Sequence, residues 1–158
     1  MTLLDKARAG QNALEQIANV IPGFKGYRDR ELRRDADRLE REHLAARLEE
    51  CKKPLNEAAA AVSRSGNLDG INDIETARKR LDKVIARIRH ADRGYSGFFD
   101  AVKVDEAALA RVYEFDLGMA GDVDQIQAAA GDVKVVLARI DALDARFADR
   151  EAILAGIK

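Results

Sequence analysis

The sequence has no tryptophan, only two prolines, two histidines and one cysteine in 158 residues, and aromatics make up just 5% of it. Each scarcity removes a class of explanation. The single cysteine, Cys51, excludes an intramolecular disulfide and gives no sign of an oxidising compartment. No apolar run approaches the ~18 residues of a membrane span. The opening MTLLDKARAGQN lacks the apolar centre of a signal peptide, so a cytoplasmic protein is expected. No glycine-rich phosphate loop or nucleophile elbow occurs, and GNLDG lacks the spacing of a calcium loop. Serine, cysteine and histidine are not grouped, and no matched pair of inward acids appears. The expectation is a protein that is not an enzyme and holds no cofactor.

What is present is charge and small aliphatics: 35% of residues are charged and 47% hydrophobic. With so few aromatics, alanine, leucine, isoleucine and valine must build the core, the balance of long helices with charged outer faces. The length suits one domain. A formal charge of −1 argues against a general nucleic-acid binder, which would carry a basic excess. Charge is nonetheless uneven, mildly basic over residues 1–103 and acidic over 104–158.

Hydrophobic periodicity predicts an all-α fold, an elongated antiparallel bundle of four helices at about 3–20, 27–64, 72–93 and 105–148. Thr2 and Asp5 make a capping box for the first, and Pro22 with Gly23 and Gly26 ends it. The second has no stop before SRSGNLDG, and Pro54 inside it should bend it. The third opens at NDIE and carries a heptad through Ile74, Ala77, Leu81, Val84, Ile88, Ala91 and Tyr95. Asp105 caps the fourth, whose stripe runs from Ala108 to Phe147 through Gly118, Gly121 and Gly131, with the GD pairs at 121 and 131 as its weak points. Lengths then suggest full-length second and fourth helices, with the first and third sharing the remaining flank. A regular up-down-up-down bundle is the alternative.

Two stretches concentrate aromatic and basic side chains. In IPGFKGYRDRELRR, Phe24 and Tyr27 stand beside Lys25, Arg28, Arg30, Arg33 and Arg34, a pattern that could meet anionic lipid or an acidic protein surface. Interspersed acids weaken that reading. Asp29 with Arg33 and Asp37 with Arg41 are (i, i+4) pairs of the kind that support an exposed helix. In GYSGFFDAVKV, Tyr95, Phe98 and Phe99 read as a packing plug at the joint between the first and third helices, with a partner surface as the alternative. Glu40 and His43 have the one-turn spacing used in carboxylate-bridged di-iron bundles, but the second half of such a site is absent and no metal is expected. Cys51 falls on the apolar stripe between Leu48 and Leu55, the position of an inert core thiol.

At GYRDRELRRDADRL and RIRHADRGYSGFFDAVKVDEAALARVYEFDLG the chain resembles uncharacterised helical proteins of bacteria, over about residues 20–120. The resemblance implies a cytoplasmic bacterial protein and carries over no catalytic or binding residue. The function expected is that of a non-enzymatic adaptor or scaffold. Leu143 and Phe147, beyond the reach of the second helix, suggest a homodimer. A weak anionic membrane binder is the second expectation.

Overall fold

In a computed structural model of the chain, residues 2–91, 96–129 and 131–156 are described. The fold is all-α, and every regular element among these residues is helical: α1 Leu3–Val20, a 3-10 turn Arg30–Leu32, α2 Arg33–Glu50, α3 Lys52–Ser65, α4 Ile71–Arg89, a single turn α5 Ser96–Phe99, α6 Glu106–Ala128 and α7 Val133–Gly156. Where four helices were expected, six of 14 residues or more are found among the described residues.

The first helix forms as its sequence predicts. Asp5 N–H donates to Thr2 Oγ1 and Thr2 N–H donates to Asp5 Oδ2, both at 3.1 Å, closing the capping box. Its main partner, however, is α6 and not the front of the second helix. A Cβ placed at Gly10 would lie 2.5 Å from the Cβ of Ala110, so glycine is what lets the two helices approach.

The expected helix at 27–64 is two helices with a late start. Residues up to Asp29 stay irregular, and Asp29 caps the 3-10 turn by accepting from Glu31 N–H at 3.0 Å. The break falls at Cys51, which keeps helical angles while its N–H turns to Leu48 O at 3.0 Å. Pro54 is the cause. It offers no N–H to the carbonyl of Glu50 and its ring crowds that carbonyl, so it is accommodated only in the first turn of a new helix. Proline here ends one helix and starts another, where a bend was expected.

The expected helix at 105–148 is also two. Asp105 caps α6 as predicted, accepting from Ala108 N–H at 2.7 Å. Helix continues through Gly118 and Gly121, but Gly131 belongs to the turn between α6 and α7, where Asp132 N–H reaches Ala129 O at 2.7 Å. The chain reverses there: Arg146 meets Asp122 and Arg150 meets Asp116, a falling register that sets α7 antiparallel to α6. Reversal places Leu143 and Phe147 in the protein's own core, both fully buried, so they are not the exposed stripe on which a homodimer was expected.

α4 is shorter than the expected 72–93, beginning at Ile71 behind Gly70 (φ 85°) and stopping at Arg89. Its heptad holds nonetheless, with Ile74, Ala77, Leu81, Val84 and Ile88 all buried against α2, α3 and α7. Tyr95 lies outside the described residues. Phe98 and Phe99 are buried as expected, but their neighbours are α7, Tyr27 and the start of α2, because the reversal of α7 brings it to this end. The Phe98 ring meets Tyr27 edge-on at 5.2 Å, and the Arg34 guanidinium lies 4.8 Å from the Phe99 ring. Phe99→Ala should cost about 3 kcal/mol of stability, read from the shift in urea midpoint.

Candidate functional site

The chemistry of this chain is concentrated inside it. Tyr27, Asp37, Glu40, Arg41, Asp116 and Arg150 are all nearly or fully buried and meet at one point between the start of α2, the middle of α6 and the end of α7. Arg150 is the hub. Its Nε donates to Asp116 Oδ1 at 2.6 Å, and its Nη2 faces Asp37 Oδ1 at 2.8 Å, Tyr27 Oη at 3.1 Å and Glu40 Oε2 at 3.3 Å. Arg41 closes the other side, giving Nε to Asp37 Oδ2 at 2.7 Å and Nη1 to the carbonyls of Ile88 and Arg89 at 3.0 and 2.8 Å. Those carbonyls are at the end of α4, which needs such donors. One network thus ties four helices.

Proton accounting identifies the odd member. Tyr27 Oη is 2.6 Å from Glu40 Oε2 and 2.7 Å from Asp116 Oδ2. A phenol has one proton and can serve only one of them. A proton on Glu40 serves the other: Glu40 donates to Tyr27 Oη, and Tyr27 donates to Asp116. The electrostatics agree, since burial and the nearby Asp116 hold the Glu40 carboxyl well above its usual range despite Arg150. The remaining acids, Asp37 and Asp116, each face a guanidinium. Glu40 Oε1 is buried with no hydrogen-bond donor, a heavy cost for a bare carboxylate and a lighter one for the carbonyl oxygen of a neutral acid. Burial likewise pushes the Tyr27 phenol up, with Asp116 and Glu40 adding to it. Burial opposes the charge on Arg150, but Asp116 and its neighbours outweigh it and keep the guanidinium charged.

Tyr27 also anchors the loop before α2. Its backbone N–H donates to Tyr113 Oη at 2.9 Å, its ring stacks on Tyr113 at 5.5 Å, and its carbonyl accepts from Arg33 Nε at 2.8 Å. Gly26 makes that possible, being at φ 90° where a Cβ would also strike Tyr113 Oη at 2.5 Å.

Three of the seven candidate surface residues at 22–34, Phe24, Tyr27 and Arg33, are interior. Phe24 and Tyr27 are core residues, which removes the aromatic anchors of a membrane-binding tip. Arg33 is buried and spends its Nη1 on the carbonyls of Phe98 and Ala101. Arg28 forms a forked pair with Glu106, and Arg34 pairs with Asp100. Of the basic residues in this stretch, Lys25 and Arg30 form no ion pair with a described residue. Asp37 and Arg41, expected as an exposed pair, are buried. Among the described residues no group of three or more His, Cys, Asp or Glu side chains is arranged to hold a metal. Glu40 and His43 are not brought together as ligands, since Glu40 is taken by Tyr27 and Arg150. Cys51 is buried on its stripe, its thiol pushed up mainly by burial. No described helix is long and apolar enough to cross a membrane.

What emerges is an all-α bundle protein with a network of buried charges in its core. No family model, curated protein or solved structure matches the chain, and function must be read from its own geometry.

Proposed function

We propose that the chain is a non-enzymatic interaction protein that docks a protein partner at the end of the bundle holding the 22–26 turn. The observation that carries this reading is an open notch of about 250 Å³ between that turn and α2, with Ala36 and Leu39 among its lining residues and Leu32 at its rim. Leu32 is 46% exposed and Val20, just before the turn, also 46%. Val102, 84% exposed, belongs to a loop that Arg33 holds through the Ala101 carbonyl. Apolar side chains left open around a preformed turn suit a protein partner. Interleaved Lys25 and Asp35 on the notch give mixed charge, which favours a protein over an anionic membrane.

The test compares wild type with Leu32→Asp/Val102→Asp by proximity labelling in its native cells, with Arg80→Gln on another face as control. Both substituted positions are exposed, so melting temperature should not move. One labelled protein should be lost at least about tenfold from the double variant alone, the scale of a small hot spot. Equal labelling by all three forms would reject this surface.

A further inference from the structure

On the outer face of α6 lies a cleft of about 380 Å³ lined by Arg111, Glu114, Phe115 and Arg146, and it adjoins a second, of about 270 Å³, that shares Arg111 and Glu114 and adds Lys6. Three cations and one acid thus line the two clefts, with the half-buried ring of Phe115 in the first. Arg146 is held in place from behind. Its Nε donates to Asp122 Oδ2 at 2.7 Å, and Asp122 is itself buried. Its guanidinium lies across Gly118, where a Cβ would sit 2.8 Å from Cζ and clash with Nη1. A glycine in the middle of a helix costs about 1 kcal/mol relative to alanine, and here it makes room for that one side chain. Among the described residues neither Nη group of Arg146 has a hydrogen-bond partner, and neither Arg111 nor Lys6 forms an ion pair or side-chain hydrogen bond. Arg28, Arg47, Arg80, Arg87 and Arg89 by contrast bind acids.

We infer that this cleft binds a small organic carboxylate, its head forked by Arg146 and Arg111 and its apolar body laid on Phe115. Guanidinium donors in a fixed plane match the two oxygens of a carboxylate, and an orienting acid behind the arginine lowers the ordering cost of binding. This site is separate from the notch at the 22–26 turn, and either can fail without the other.

The probe is 1-naphthoate, titrated into the full chain and followed by amide and arginine Nε–H NMR shifts, beside the neutral 1-naphthamide and inorganic phosphate. Naphthoate should bind with a Kd of about 0.1–1 mM and shift residues 111–118 and the Arg146 Nε–H, with the amide at least about tenfold weaker. Arg146→Gln should weaken naphthoate at least about tenfold, and Phe115→Ala should weaken it without changing its salt dependence. Because Arg146→Gln leaves Asp122 without its partner, Arg111→Gln serves as the variant that keeps the fold untouched and should lose affinity likewise. The inference is overturned by no binding up to about 5 mM, by equal affinity for acid and amide, by phosphate binding as tightly as naphthoate, or by Arg111→Gln binding like wild type.

Discussion

Arg150→Ala is expected to lower folding stability by about 3–5 kcal/mol, the range for removing one partner of a buried charge cluster. Among the described residues the guanidinium is the only cation in contact with Asp116, and its Nη2 also faces Asp37, Glu40 and Tyr27. Taking it away leaves Asp116 buried with no opposite charge and opens space that the rigid helices cannot close. Arg150→Lys should recover only part of the loss, since one ammonium cannot reach four acceptors spread around a plane. Urea denaturation at neutral pH measures both. A loss below about 1 kcal/mol for the alanine variant would mean that water enters and takes over the role of Arg150. The cluster is not thereby a net source of stability, because all its members had to leave water. Its value is that this arrangement of α2, α4, α6 and α7 sets each buried acid against a donor, although Glu40 Oε1 and Arg150 Nη1 stay without a partner.

Glu40 should make the protein less stable as pH rises through neutrality. Below the ordinary carboxyl value of 4.5 the acid is protonated folded and unfolded alike, and its contribution is fully present. Above it the unfolded chain releases the proton and the folded chain keeps it, so stability falls by up to about 1.4 kcal/mol per pH unit until the raised folded value is passed. Glu40→Gln keeps the shape and a neutral donor toward Tyr27 while removing the titration. Its advantage over wild type should therefore grow with pH, by up to about 1.4 kcal/mol per unit above the ordinary carboxyl range. Stability curves of the two forms that stay parallel over that range would show Glu40 ionised in the folded chain.

Much of the helical content was legible in the sequence, because period and caps are local. The Thr2 and Asp105 caps, the α4 heptad and the phase of α6 through Gly118 and Gly121 all act within a few residues of where they are read. The two breaks were legible only as ambiguities. A proline can bend a helix or end it, and a helix can pass a glycine or stop there, so Pro54 and Gly131 mark weak points in the pattern without choosing the outcome. Once α7 reverses, α1 finds α6 and the 96–99 turn finds α7, so partners inferred from helix lengths no longer apply.

The buried network did leave a trace. Arg33, Asp37, Glu40 and Arg41 occupy the stripe that continues into Leu44 and Leu48, and Arg150 sits between Phe147 and Leu154 on the buried face of α7. A charged residue in phase with the apolar ones marks a burial candidate. The same spacing also makes favourable surface pairs, and the surface explanation is the commoner one for (i, i+4) charges. Tyr27 and Phe24 were misplaced for a related reason: next to arginines they resemble a binding tip, whereas the arginines turn inward to carbonyls or outward to Glu106 and Asp100. Arg111 and Arg146 are far apart in sequence, and they line one cleft only through the antiparallel return of α7.

The most direct test of a core organised around a neutral Glu40 is infrared spectroscopy of the protein with carboxyl-labelled glutamate, wild type against Glu40→Gln. At pH 7 the wild type should show one protonated-carboxyl stretch that persists where the exposed glutamates are ionised, and Glu40→Gln should lack it. A wild-type spectrum with every glutamate ionised at pH 7 would contradict the account.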